Sequence, residues 1–228
     1  MTAEPVILLV VAKAPVPGLA KTRLCPPATP VQAAEIAAAS LLDTLTAVLD
    51  TPGTRPVVAL TGDLNQARRA PELRRLLAFT EVVPQRGETF ADRLAHAHTD
   101  AADLHPGLPV LQIGMDTPQV TPELLADTAG LLVDAPAVLG PAADGGWWTL
   151  GLRDPRRARA LYAVPMSRAD TGLLTREALA RSGIRVTAAV TLSDVDTIAD
   201  AVGVSRLVPS SRFAEAVTSI LDDTVGAR

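Results

Sequence analysis

Cysteine occurs once in the chain, at Cys25. A disulfide within the chain and a cysteine-rich zinc site are therefore excluded, and a reducing, cytoplasmic setting is the expected one. Aromatic residues make up only 3%, too few for a base-stacking surface along single-stranded nucleic acid. Positive charge is not in excess either. The formal net charge is −4, whereas binding to a phosphate backbone needs a basic face, so nucleic acid is not expected as a partner. The apolar run over residues 6–11 is too short to cross a bilayer. Glu4, and no basic residue, precedes it, which is unlike a secretory signal. Histidine is scarce too. His96 and His98 stand two apart on an expected helix, on nearly opposite faces, and His105 falls in a loop, so no shared metal and no histidine base is expected. Cys25 has no histidine partner in view and reads as an incidental thiol.

What remains is an ordinary globular composition, 48% hydrophobic and 20% charged over 228 residues. That length suits one α/β domain with a full core, expected over residues 1–228. Apolar runs that read as strands fall at 6–11, 56–60, 80–83, 109–113, 137–139, 147–152 and 184–190. Helices are expected between them. Thr29, Pro30 and Gln32 look like a capping box with proline at the first helical position, and that helix should run to about residue 49. Others are expected from Gly62-Asp63, over 87–103, from Thr121-Pro122, from Asp154-Pro155 and over 169–182, with two more after Thr197. Strands alternating with helices imply a mostly parallel, doubly wound sheet with helices on both faces. Such sheets bind ligands at the carboxyl ends of their strands.

The unusual residues cluster at those ends. After the first strand come Lys13, Pro15, Pro17, Gly18, Lys21 and Arg23. The prolines stiffen this loop, Gly18 lets it turn or approach a ligand, and the three cations offer charge-assisted donors to phosphate. It is neither a Walker A, since Ala20 and Pro15 stand where glycines are needed, nor a GxGxxG fingerprint. Asp116 ends the fourth strand, where a carboxylate suits Mg²⁺ or Mn²⁺ bridging diphosphate oxygens. Asp144-Gly145-Gly146 follows the fifth, a tight turn by type, with Trp147 and Trp148 behind it as candidates for a sugar or base pocket, or for the core. Asp194 and Asp196 alternate with Val195, so on an extended segment both face the same way, as metal ligands or with one capping the next helix.

In combination and order these motifs resemble the DUF2064 family of bacterial, glycosyltransferase-like proteins. The loop from Lys13 to Leu24 is similar to the family's signature loop. Gln85-Arg86-Gly87 with Arg93 resembles its middle motif, and Gly114-Met115-Asp116-Thr117-Pro118-Gln119 its strand-tip motif. The stretch from Gly140 to Trp148, then Pro165-Met166-Ser167 and Asp194-Val195-Asp196-Thr197, resembles the later ones. Tryptophans stand where tyrosines are usual, Met166 where Trp is common, and Ile198 where Pro is expected. The resemblance implies a GT-A-like, three-layer α/β/α fold of the nucleotide-diphospho-sugar transferase type. It implies that Lys13, Gly18, Lys21 and Arg23 hold a nucleotide donor, that Asp116, with Asp196, holds a divalent metal, and that Asp144 faces the acceptor or sugar. The reading is a metal-dependent transferase, with glycosyl transfer from a nucleotide-diphospho-sugar first. Nucleotidyl transfer from a nucleoside triphosphate to a phosphorylated or acidic acceptor is the alternative, and a noncatalytic nucleotide-binding protein the third. A homodimer built on apolar C-terminal helices is an open option.

Overall fold

The computed structural model describes residues 5–226, which leaves Glu4 outside the described residues. Fourteen elements concern the site. In chain order they are β1 (Val6–Lys13), α1 (Pro30–Asp50), β2 (Thr54–Thr61), α2 (Ala70–Leu77), β3 (Glu81–Pro84), α3 (Phe90–Leu104) and β4 (Val110–Gly114). Then follow α4 (Pro122–Gly130), β5 (Ala137–Pro141), β6 (Trp147–Leu152), α5 (Thr171–Arg181), β7 (Val186–Ala188), α6 (Ile198–Ser205) and α7 (Arg212–Gly226). The strands make one sheet in the order β3-β2-β1-β4-β6-β5-β7.

β1 lies between β2 and β4, parallel to both, with Val10 opposite Val58 on one side and Ile113 on the other. That explains its unbroken apolar run: a strand covered on both faces needs no polar alternation. Leu8, Val10, Val58, Leu111 and Ile113 face Leu41, Leu45 and Val48 of α1, Leu73 of α2 and Leu125 of α4. Ile7, Leu9, Val57, Ala59 and Leu150 face Leu94, Ala97 and Ala101 of α3 and Leu179 of α5. β6 runs antiparallel to both β4 and β5. From β1 the chain winds outward to β2 and β3, then returns to place β4 on β1's other side. The reversal leaves a crevice at the carboxyl ends of β1 and β4.

The capping box of α1 is present in full: Gln32 N–H donates to Thr29 and the Gln32 side chain accepts from the Thr29 N–H. This helix is the one among the described residues long and apolar enough to cross a membrane, yet most of it is buried within the protein. Its apolar character runs nearly all round because it is covered twice. One side meets the sheet. The other, with Ala33, Ile36 and Ala39, meets Phe213, Val217 and Ile220 of α7 and Ala201 and Val204 of α6. These residues of the C-terminal helices are thus engaged within the chain.

Several expected boundaries move. The helix expected at Gly62-Asp63 starts only at Ala70, because Asp63 turns the chain by accepting from the Asn65 N–H at 2.8 Å. Arg69 then adopts φ +49° before the helix begins. The segment Pro155–Ala163 is a 3₁₀ helix rather than an α-helix. Its buried residues, Pro155, Ala158 and Leu161, repeat every third position, which matches three residues per turn. The last strand is cut to Val186–Ala188, the length over which it pairs with Ala137–Leu139 of β5. Trp148 is a core residue and Trp147 packs, partly buried, against the core. Trp148 is buried with its indole N–H donating to the Val190 carbonyl at 2.8 Å. Trp147 packs on the opposite face and donates to the Thr175 hydroxyl at 3.1 Å.

Candidate functional site

The loop after β1 leaves the sheet tied to its neighbours. Ala14 N–H donates to the Thr61 carbonyl at 2.8 Å, and the Pro15 carbonyl accepts from Arg68 N–H at 2.9 Å. Gly18 has φ +77° and open space around it. It serves the turn, since the left-handed region suits a residue without a Cβ. Lys13 Nζ closes the same turn by donating to the Leu19 carbonyl at 2.8 Å. Thr22–Leu24 then makes a short 3₁₀ turn that buries Leu24 in the cluster shared by α1, α6 and α7. That anchor fixes Lys21 and Arg23 over the crevice.

A second segment arrives from far along the chain. Leu192 pairs with Ala142 beyond the end of β5, and Ala143 N–H donates to the Leu192 carbonyl at 2.9 Å. Three residues on, Val195 N–H donates to the Asp116 carbonyl at 3.2 Å. Residues 192–196 therefore strap the carboxyl ends of β4 and β5 together. Val195 points into the α1–α6–α7 cluster, so Asp194 and Asp196 on either side of it emerge toward the crevice, as the alternation of an extended segment requires. Neither caps α6. The cap is Thr197, which forms a full capping box with Asp200.

The strap creates two charged groupings. In the first, Lys21 Nζ lies 2.9 Å from Asp116 Oδ2 and 3.8 Å from Asp196 Oδ1, and Arg23 Nη1 lies 2.7 Å from Asp196 Oδ2. Lys21 also donates to the Val195 carbonyl. Lys13, Lys21, Arg23, Asp116 and Asp196 line one cleft of about 250 Å³, with Leu19, Met115 and Ala37 as its apolar wall. In the second grouping, Asp144, Asp194 and Asp196 bring carboxylate oxygens within 4.8 Å of one another. Burial, followed by the charges of Asp144 and Asp196, pushes the Asp194 carboxyl up to about 6. Asp144 is exposed, and its Oδ1 accepts from the Gly146 N–H at 2.8 Å, so the tight-turn reading of Asp-Gly-Gly holds as well. Gly145 is required there: at φ +90°, a Cβ would stand 1.9 Å from the Ala169 carbonyl oxygen.

The donor set fits a hard cation. All the groups are carboxylates, and oxygens bound to one Mg²⁺ or Ca²⁺-sized ion lie at most about 5 Å apart. Burial first, and then the neighbouring carboxylates, disfavour the charged form of Asp194, which a cation bound there would favour. Of the residues singled out in the sequence, Lys13, Lys21, Arg23, Asp116 and Asp196 meet in the cleft, while Asp144 joins through the second grouping. Gln85 stands by as a brace, its side chain donating to the Ala12 and Ala59 carbonyls at 2.8 and 2.9 Å. His98 is buried against Gln112 and His96 bonds the Arg86 carbonyl, so neither joins the site.

Two features are not readily apparent from sequence: Lys21 as the hub of the first grouping and Asp194 as a member of the second. A signal for the first was present: of 21 lysines and arginines, the lysines are Lys13 and Lys21, both in this loop. A family model described as an uncharacterized protein conserved in bacteria (DUF2064) matches residues 44–168. No curated protein matches the chain. Among solved structures, a proposed nucleotide-diphospho-sugar transferase from Desulfovibrio desulfuricans G20 is similar at TM-score 0.80 and 24% identity, over 98% of this chain and 96% of its own. Rv0371c from Mycobacterium tuberculosis H37Rv, in complex with manganese, gives 0.53 at 22% identity over 89% and 98%. CMP:2-keto-3-deoxy-manno-octonic acid synthetase complexed with CTP gives 0.54 at 14% identity over 90% and 99%. At these identities the likenesses show a shared fold.

Proposed function

The chain belongs to the DUF2064 family, and from that membership and the charged cleft at the β1/β4 crevice we propose a metal-dependent transferase that uses a nucleotide-activated donor. Glycosyl transfer from a nucleotide-diphospho-sugar is the reading put first, by a single domain over residues 1–228 in the cytoplasm. The observation that carries it is the convergence of Lys13, Lys21 and Arg23 with Asp116 and Asp196 on one cleft.

Lys13, Lys21 and Arg23 would bind the diphosphate. Their side chains line the cleft, and positive charge there would stabilise the negative charge that builds as the sugar departs. Asp116 and Asp196, with Asp194 close to the latter, are the residues that would hold Mg²⁺ or Mn²⁺. Such an ion would supply Lewis-acid neutralisation of the same oxygens. Asp144 is assigned the acceptor. Its Oδ1 is engaged by the turn, which leaves Oδ2 to accept a hydrogen bond from an acceptor hydroxyl and orient it. Gly18 contributes the turn rather than a ligand contact.

Nucleotidyl transfer is the second reading. The three cations on one cleft favour it, because a triphosphate carries more charge than a sugar diphosphate. A thermal-shift panel of nucleoside triphosphates and nucleotide-diphospho-sugars, with and without Mn²⁺, separates the two. A metal-dependent rise with a sugar nucleotide supports the first, and a rise confined to a triphosphate moves the assignment to the second. In either case Asp116→Ala should abolish the metal-dependent part of the shift; an unchanged shift in that variant removes Asp116 from the site. Binding without turnover across an acceptor panel would instead mark a noncatalytic nucleotide-binding protein.

A further inference from the structure

Lys21 stands where a bound cation would stand. Its side chain is 10% exposed. Its ammonium faces Asp116 Oδ2 at 2.9 Å, Asp196 Oδ1 at 3.8 Å and the Val195 carbonyl. An ammonium is a compact charge with three donors, and here it sits among two carboxylates and a backbone carbonyl. The backbone that turns the side chain inward is itself unusual, with φ +49° and ψ +39°, a region that residues with a Cβ rarely enter. Composition agrees with a specific need for lysine. The chain uses arginine almost everywhere else, but a planar guanidinium fork cannot replace a compact, three-donor charge among converging oxygens.

Resting on the transferase reading above, we propose that Lys21 is a built-in counter-ion. In the free protein it neutralises Asp116 and Asp196; it leaves them for the donor's phosphates when a divalent cation takes its place. An ammonium and a divalent ion repel at contact distance, so they compete for Asp116 Oδ2. A cation arriving alone must therefore break the lysine's ion pairs with nothing to receive the freed ammonium. With a diphosphate in the same cleft, the ammonium finds new oxygens. Metal and donor thus bind cooperatively, coupled through one side chain.

The test titrates Mn²⁺ without nucleotide, following free Mn²⁺ by electron paramagnetic resonance. Lys21→Met keeps the side-chain length and removes the charge. It is expected to bind Mn²⁺ more tightly than the wild type by about tenfold or more. Adding Asp116→Asn should erase that gain. Equal or weaker binding by Lys21→Met, or a gain that survives Asp116→Asn, overturns the proposal. A measurement on the unaltered protein covers a variant that fails to fold. The chain's two lysines can be acylated and quantified separately by mass spectrometry. Lys21 should react more slowly than Lys13 in the free protein and faster once Mn²⁺ is saturating; a Lys21 rate that Mn²⁺ leaves unchanged also overturns it. Failure of the transferase reading would appear elsewhere, as a nucleotide panel without any shift, and would not alter these Mn²⁺ results.

Discussion

Asp194 shows how much a single residue depends on neighbours it cannot see in sequence. Its carboxyl is raised from an ordinary value of 3.8 to about 6 by burial, then by the charges of Asp144 and Asp196. A carboxylate raised on folding favours the native state at low pH and loses that contribution as the pH climbs through about 6. Above that pH the ionised group opposes the fold. Asp194→Asn should therefore melt at a higher temperature than the wild type at pH 7.5 in the presence of a chelator, and the difference should close toward pH 4. Thermal melts at the two pH values check this; a variant that is less stable at pH 7.5 would mean the carboxylate is already compensated. The pairing of Asp194 with Asp196 was legible in their spacing around Val195. Their ionisation was not, because it is set by Asp144 and by burial that arise only in the fold. Lys21 was legible as a cation but not as a hub, since one of its acceptors lies 174 positions away at Val195.

At the scale of elements, the cluster between α1, α6 and α7 connects stability to the site. It buries Leu24 of the first loop and Val195 of the strap together with Phe213, Val217 and Ile220. The two charged segments therefore share one apolar foundation. Phe213 is fully buried, and replacing it with alanine should cost about 3–5 kcal/mol, readable as a lower urea midpoint. The same variant should weaken any nucleotide-induced thermal shift, although residue 213 lines no part of the cleft; an intact shift would show that the loop and strap hold their places without α7. Local signals carried much of this architecture. The capping box at Thr29 and the proline at 122 marked helix starts because caps are written within four residues. The late start of α2 was not readable, since Asp63 could cap or turn and only the positive φ at Arg69 decides. The 3₁₀ helix over Pro155–Ala163 was readable in principle from its period of three.

For the whole molecule, the alternation of strands and helices predicted a mostly parallel sheet, and the sheet is one. The reversed β6 was hidden, because an apolar run gives its burial and not its direction. Sheet order also governs His98, which α3 presses against Gln112 of β4, Nε2 lying 3.1 Å from the amide oxygen. Burial holds this imidazole down at about 4, against an ordinary 6.5. A histidine depressed on folding leaves stability intact above pH 6.5 and withdraws it as the pH falls toward 4, because the unfolded chain then binds the extra proton. The full loss is on the order of 3 kcal/mol. Asp194 acts in the opposite sense over nearly the same window, gaining its proton in the folded state as the pH falls below about 6. The two titrations partly cancel, so the wild type's urea midpoint should change little between pH 6.5 and 4.5. Asp194→Asn removes one side of that balance, and its midpoint should fall steadily with acid across the same range. Adding His98→Gln to it should flatten the profile again. Should the wild type lose stability as steeply as Asp194→Asn, then the Asp194 carboxyl is not raised on folding and stays charged across this range.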